Sequence, residues 1–308
     1  MNKCIVIYNA KSGKKRTNDI TINTIFEVLK SYNYEPSVIY TKRKGHASKI
    51  VKELPNDVCL VVSAGGDGTF NESMTGNLKR ANRLLLAHIP VGTTNDIGAM
   101  FGYGKDIIEN LKMLLDGEEK NIDICTINDR PFVYVAGFGK FMNVPYETSR
   151  DLKKRYGHMA YLMEGFKELN QSTKLYDITY WVDGEEYNGL YSFVSISNAT
   201  RIAGFNDFIK DVKLDDDRFE VLLCNITMKK DIIKSLYYLT KSDITKVPGF
   251  YFHKVNKMKI RFNDSQKINW CIDGERLDDD SREFEIKVLR NVRLLIPKKN
   301  IKNLFIDE

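Results

Sequence analysis

The stretch 63-SAGGDGTFNE-72 decides how the rest of the chain is read. It follows the apolar run Val58-Cys59-Leu60-Val61-Val62, which predicts a strand covered on both faces. Three glycines in four positions, Gly65, Gly66 and Gly68, permit positive φ and close approach of a ligand to the backbone. A helix opening just after such a loop supplies free N–H groups and the positive end of its dipole, which suits phosphate. Asp67 inside the loop would repel a bare phosphate, but it fits a phosphate that shares a Mg²⁺ with it, met directly or through water. A strand–turn–helix connection has the same outline, so this loop alone leaves both readings open.

Two further loops break the tie. In 90-PVGTTNDI-97, after the strand-like LLLAHI, the polar residues Gly92, Thr93, Thr94, Asn95 and Asp96 stand at a strand's C-terminal end. That is where open α/β sheets bind ligands. Asn9-Ala10-Lys11-Ser12-Gly13-Lys14-Lys15, after CIVIY, adds a hydroxyl, a glycine and cations suited to phosphate. Any one of these could be a solvated turn. Three after three strands are harder to dismiss and point to a phosphate site.

Outward from these loops, the first part alternates strand and helix. Residues 20–32 carry Ile22, Ile25, Phe26 and Leu29 at helical spacing. Strands are predicted at 36–40 and 58–63, and a helix at 46–54 after Gly45. This rhythm implies a parallel sheet with helices on both sides. Near Asp123 the pattern changes. Met258, Ile260 and Phe262 alternate with Lys257, Lys259 and Arg261, and Phe284, Ile286 and Val288 with Glu283, Glu285 and Lys287. Such alternation means antiparallel sheets with one wet face. A hairpin of 177–182 with 191–197 is expected around Asp183-Gly184. Helices are expected at 149–170 and 229–240. The chain reads as an α/β domain followed by a β-rich one, with the site in the cleft between them.

Composition bounds the function. At 308 residues, with 43% hydrophobic and 11% aromatic residues, the chain has room for two globular domains. A net charge of +6 is a mild bias, which suits phosphates or an anionic membrane surface and does not argue for nucleic acid. Cys4, Cys59, Cys125, Cys224 and Cys271 are odd in number and lie in apolar runs, so buried reduced thiols are expected. No signal peptide is visible and no apolar run approaches the roughly 20 residues that span a bilayer, so a soluble, cytoplasmic protein is expected.

Taken together, SAGGDGTFNE, IPVGTTNDIGAMFG and NAKSGKK resemble the catalytic-domain superfamily of diacylglycerol kinases, sphingosine kinases and bacterial lipid kinases. A shorter GGDGT is shared with NAD kinases and 6-phosphofructokinases. In the C-terminal half, 213-KLDDDRFEV-221 is similar to the bacterial lipid kinases' Asp-Asp-Gly segment, and 271-CIDGE-275 to their late Asp-Gly-Glu. The resemblance implies a Rossmann-like parallel α/β domain over 1–125 and an antiparallel β-sandwich-type domain over 126–296, with the tail 297–308 packed back on the first. It implies ATP-dependent phosphorylation of a membrane lipid hydroxyl, first of all that of diacylglycerol, with Mg²⁺.

The resemblance also assigns roles. Asp67 and Asp96 would organise nucleotide and Mg²⁺. Asn9, Ser12, Gly13, Lys14, Gly65, Gly66, Gly68, Thr69, Glu72, Gly92, Thr93, Thr94 and Asn95 would shape the nucleotide site. Lys153 would matter for activity, Asp273 would be the general base, and Glu275 would support it or a metal. Asp216, with the backbone carbonyls of Lys213 and Arg218, would hold a structural Mg²⁺. Three departures stand out: Ala10 replaces the usual proline, Asp217 replaces a glycine and so has to accept positive φ, and no arginine follows Asp96 through Met100. Residues 228–240 are amphipathic and basic, as an interfacial helix or a helix packed on a sheet would be. Peripheral contact with the inner membrane face, a possible homodimer and no nucleic-acid partner complete the expectation. The alternatives are NAD-kinase-type phosphorylation of a soluble dinucleotide and a non-catalytic nucleotide- or lipid-binding regulator.

Overall fold

The computed structural model describes residues 1–10, 18–92, 95–142, 172–202, 205–206, 209, 211–228, 230–231, 233, 247–265, 268–277, 279–298, 301 and 304–306. They fall into two compact units, one of 1–122 with 291–302 and one of 123–290 with 303–308.

In the first unit the order is β1 (Asn2–Tyr8), α1 (Asn18–Ser31), β2 (Tyr34–Tyr40), α2 (His46–Glu53), β3 (Leu60–Gly65), α3 (Asp67–Leu78), β4 (Leu86–Pro90), α4 (Asp96–Met100) and α5 (Ile107–Leu115). The strands pair in parallel in the order β2-β1-β3-β4. Alternate residues explain the layering. Cys4, Val6, Tyr8, Leu60, Val62, Ala64, Ala87 and Ile89 pack with Ile22, Ile25 and Leu29 of α1 and Leu111 and Leu114 of α5. The intervening residues face α3. Ser73 Oγ donates to Ser63 Oγ at 3.2 Å, and the Phe70 ring lies 4.8 Å from that of His88. Gly76 lets α2 close on α3, since a Cβ there would come within 2.3 Å of the Ser48 carbonyl oxygen. Parallel pairing carries Asn9, Gly66 and Gly92 to the same end of the sheet, because each follows the C-terminus of a neighbouring strand.

The chain enters the second unit along β5 (Glu118–Ile127). Then come β6 (Arg130–Phe132), β7 (Val135–Gly139), β8 (Tyr176–Val182), β9 (Glu185–Tyr191), β10 (Phe193–Ser197), β11 (Arg201–Ile202), β12 (Phe205–Asn206), β13 (Phe219–Cys224), β14 (Phe250–Val255), β15 (Lys257–Phe262), β16 (Trp270–Ile272), β17 (Glu275–Leu277) and β18 (Glu283–Ile296). One sheet runs β18-β15-β8-β9 with the β5–β6 hairpin beside β18, and the other runs β14-β13-β10-β7-β16-β17. The second is antiparallel at each pairing. Ile178, Met258 and Phe284 from one sheet share a core with Phe138, Val221 and Trp270 from the other, which makes a sandwich. As the alternation requires, β15 is exposed and buried at successive residues.

Four expectations change. Asp183 and Gly184 have φ of 51° and 83°, a two-residue loop with both residues left-handed, and that loop places Val182 opposite Glu185. The hairpin partner is therefore β9, whose polar EEYNGLY suits an edge strand. Residues 193–197 form β10 instead, between β7 and β13. The unit break falls at 122/123 rather than 125/126, and 291–296, the end of β18, belongs to the first unit, where Leu294 pairs in parallel with Leu86. Residues 303–308 group with the second unit, not the first. Leu304 O accepts from Leu214 N at 2.7 Å, and Lys213 Nζ donates to Phe305 O at 2.8 Å. Finally, Cys59 is exposed, while the other four cysteines are buried. The expected helix at 149–170 lies outside the described residues, as does most of that at 229–240. Among the described residues no helix is long and apolar enough to cross a membrane.

His88 is buried on β4, its Nδ1–H donating to Ser63 O at 3.2 Å, and burial pushes its pKa down to about 4. The unfolded chain takes up that proton near 6.5, so between pH 6.5 and 4 the unfolded state binds more protons and His88 costs stability as pH falls. Removing it should erase this term. His88→Phe should gain about 2 kcal/mol relative to wild type on going from pH 8 to pH 5, measured by denaturant unfolding. An unchanged difference between the two proteins would contradict the assignment.

Candidate active site

In the first unit three loops are tied together by side chains that the sequence singles out. Gly66, in extended backbone with φ −88°, precedes α3, and its carbonyl accepts from Thr69 N at 2.9 Å and Phe70 N at 3.2 Å. Asp67, the first residue of α3, reaches the next loop. Its Oδ2 accepts from Asp96 N at 3.0 Å and its Oδ1 from Ile97 N at 3.3 Å. Val91 N donates to Gly65 O at 2.9 Å. The backbones touch here. A Cβ on Gly92 would lie 2.7 Å from Gly66 Cα and 2.6 Å from Asn95 Oδ1. One on Gly65 would strike Thr69 Cβ at 2.5 Å. The first loop joins through Asn9, whose Nδ2 donates to Thr69 Oγ1 at 3.0 Å and whose N donates to Ala64 O at 3.1 Å.

Asn95 adopts φ 51°, and its Nδ2 donates to Gly92 O at 3.0 Å. Its Oδ1 is buried beside Gly92 without a hydrogen-bond partner. Asp96 is buried at the start of α4. Glycine backbone, an orphan acceptor and a carboxylate fixed in direction fit a magnesium-bound nucleotide. Glu72 has another duty. Its two oxygens accept from Gly45 N at 2.7 Å and Ala47 N at 3.1 Å, capping α2, which has no side-chain cap of its own. Ser12, Gly13, Lys14, Thr93, Thr94 and Lys153 lie outside the described residues. Gly68 is in the first turn of α3.

In the second unit Asp273-Gly274 is a two-residue hairpin turn between β16 and β17, with φ of 47° and 79°. The Asp273 carboxylate turns inward. It is buried and accepts from Val133 N at 2.7 Å, Tyr134 N at 3.1 Å and Val135 N at 3.1 Å. Those bonds fix its direction, and Glu275 follows at the start of β17. Sequence reading missed a second group of acids. Asp123 accepts from Asp217 N at 2.6 Å, and burial together with Asp216 pushes it up to about 6. Glu220 is buried and, chiefly by burial, raised to about 7. A polar residue inside the apolar run of a strand was the available signal for both.

The acids of the expected structural-metal loop are engaged with other groups of the chain. Asp217 does adopt the left-handed backbone foreseen for it, with φ 60°. Asp216, however, accepts from Arg218 N at 3.1 Å on one oxygen and meets Lys254 Nζ at 2.6 Å on the other. Among the described residues no cluster of three or more His, Cys, Asp or Glu side chains could hold a metal ion. Lys213 and Arg218 flank the loop, but the carboxylate they were to join is already paired with a cation. A cavity of about 500 Å³ in this unit is lined by Tyr180, Tyr187, Tyr191, Tyr251 and His253 among others, with no carboxylate or ammonium among its described lining residues.

A sequence profile of the diacylglycerol kinase catalytic domain matches residues 3–127. The diacylglycerol kinase of Staphylococcus epidermidis (strain RP62A) is 30% identical over 271 residues, 88% of this chain and 84% of that protein. The chain belongs to the diacylglycerol kinase family. By that membership it is an ATP-dependent lipid kinase. The diacylglycerol kinase of Staphylococcus haemolyticus is 29% identical over 300 residues, 97% of this chain and 89% of the relative. A crystal structure of a diacylglycerol kinase from Bacillus anthracis str. Sterne has the same fold, with a TM-score of 0.75 at 21% identity and coverage of 96% and 97%. The likeness therefore runs through the second unit and is more than a shared GGDGT loop.

Gly92→Ala tests the contact between the loops. The added methyl has to displace Gly66 or the Asn95 side chain, so Mg·ATP affinity should fall by about tenfold to a hundredfold in a protein that melts lower but still cooperatively. Titration calorimetry measures the first and thermal unfolding the second. Unchanged affinity would show that nucleotide does not use these loops.

Proposed function

We propose that the chain transfers the γ-phosphoryl group of ATP to the free hydroxyl of diacylglycerol, giving phosphatidic acid and ADP. What carries this reading is Asp67, clamped between two touching glycine loops in a chain similar to diacylglycerol kinases over almost its whole length. The amides around Gly65 to Gly68 and Gly92 receive the phosphates, and Asn95 Oδ1 accepts from the nucleotide. Asp67 and Asp96 meet the divalent cation, through water or directly; Mg²⁺ would neutralise charge on the transferring group. Asp273 takes the hydroxyl proton as the lipid oxygen bonds to Pγ and the bond from Pγ to the bridging oxygen breaks. Amide bonds from Val133, Tyr134 and Val135 hold its carboxylate in a fixed direction for this.

The acceptor is insoluble in water, so the protein works as a peripheral enzyme at the inner face of the membrane. Its net charge of +6 favours an anionic surface, and the basic amphipathic stretch 228–240 suits an interfacial contact. A homodimer is compatible with this reading.

The test is incubation with labelled ATP, Mg²⁺ and mixed micelles that carry, one at a time, diacylglycerol, a sphingoid base, phosphatidylglycerol or a polyprenol, with NAD as a soluble control. Label should enter diacylglycerol. Asp67→Ala and Asp273→Asn should each lower kcat by about a hundredfold or more while keeping a cooperative melt. Incorporation into NAD alone, or full activity in both variants, would overturn the assignment.

A further inference from the structure

The acidic loop 211–217 carries a concentration of negative charge that needs a counter-ion. Asp215, Asp216 and Asp217 are consecutive, Asp123 lies against Asp217 N, and Glu220 is buried just beyond. Neither Glu220 oxygen accepts a hydrogen bond, so its charge rests on a nearby cation. That cation is Lys254, its register partner across β13 and β14. Lys254 Nζ stands 2.6 Å from Asp216 Oδ2, 3.4 Å from Glu220 Oε1 and 3.2 Å from the carbonyl oxygen of Asp211. Asp216 and the Asp211 carbonyl take up its donors, and Glu220 lies at ion-pair distance. The backbone of Lys254 also takes part, its carbonyl accepting from Arg218 Nη1 at 3.3 Å. Arg290 pairs with Asp217, the residue standing where a glycine was expected.

We propose that the ammonium of Lys254 holds the acidic loop 211–217 in place of a bound divalent cation, so that the loop keeps its fold without metal. The two compete for the same carboxylate. Mg²⁺ sits about 2.0–2.1 Å from a carboxylate oxygen. An ion on Asp216 Oδ2 would have to share that oxygen with an ammonium 2.6 Å away. Repulsion between two cations on one oxygen in a half-buried site opposes joint occupancy. Lys254 thus works as a cross-link among residue 211, residue 216 and the sheet. It is a positioning residue, distinct from the metal that accompanies nucleotide at Asp67.

The experiment is thermal unfolding of the full chain without nucleotide, in EDTA and in millimolar Mg²⁺, for wild type and Lys254→Met. Wild type should melt within about 1 °C in the two buffers. Lys254→Met should melt about 5–10 °C lower in EDTA, the scale expected when one partner of a buried ion pair is removed. Mg²⁺ should return part of that loss, since the vacated position offers Asp216 and Glu220 to an ion. Adding Asp216→Asn to Lys254→Met should abolish the recovery. If Lys254→Met does not fold in EDTA but folds in Mg²⁺, the same conclusion holds. A wild type that loses stability in EDTA, a Lys254→Met protein as stable as wild type, or a destabilised variant that Mg²⁺ does not help would each overturn the proposal. With no ATP or lipid present, none of these outcomes bears on the kinase reading.

Discussion

The first unit depends on two peptide backbones lying in contact. Gly66 and Gly92 approach so closely that neither loop could hold its path with a side chain at Gly92. Asp67 fixes the approach by placing its carboxylate on the amides of Asp96 and Ile97. The parallel order β2-β1-β3-β4 makes this possible, because it carries the loops after β1, β3 and β4 to one end of the sheet. Asn9 then reaches Thr69 across the first gap. The charge of Asp67 therefore does two things. It bridges two loops through neutral donors, and on the proposed reading it would present a directed carboxylate to a cation that arrives with phosphates.

The second unit manages charge differently. Asp273 accepts from three backbone amides of 133–135, so main chain helps to set its direction. The acids around 211–220 are matched to Lys254 and Arg290. Where a divalent ion was foreseen, the chain carries its own cation. Replacing the expected glycine by Asp217 keeps the left-handed turn, since aspartate tolerates positive φ, and adds a charge that Arg290 answers.

Much of this was legible in the sequence. The helical stripe of Ile22, Ile25 and Leu29, the alternation along 257–262 and the three glycine loops all report local periodicity or turn chemistry. What was misread turns on pairing over distance. The partner of 176–182 is 185–191, because a two-residue turn fixes register more firmly than hydrophobicity does. Glu72 looked like part of the nucleotide loop, yet it caps a helix that begins 26 residues earlier, and no local pattern announces that. Lys254 and Glu220 are 34 residues apart and become neighbours only when β13 pairs with β14. The family resemblance supplied residue roles that periodicity could not. It also supplied a metal role for Asp216, a residue whose carboxylate here meets Lys254.

A structure determined with Mg²⁺ and a non-hydrolysable ATP analogue tests the role of the touching loops most directly. The phosphates should lie over the amides of Gly65 to Gly68 and beside Gly92, with the ion in reach of Asp67 and Asp96. An analogue bound elsewhere, with Asp67 still on the amides of Asp96 and Ile97 and no ion beside it, would contradict that role.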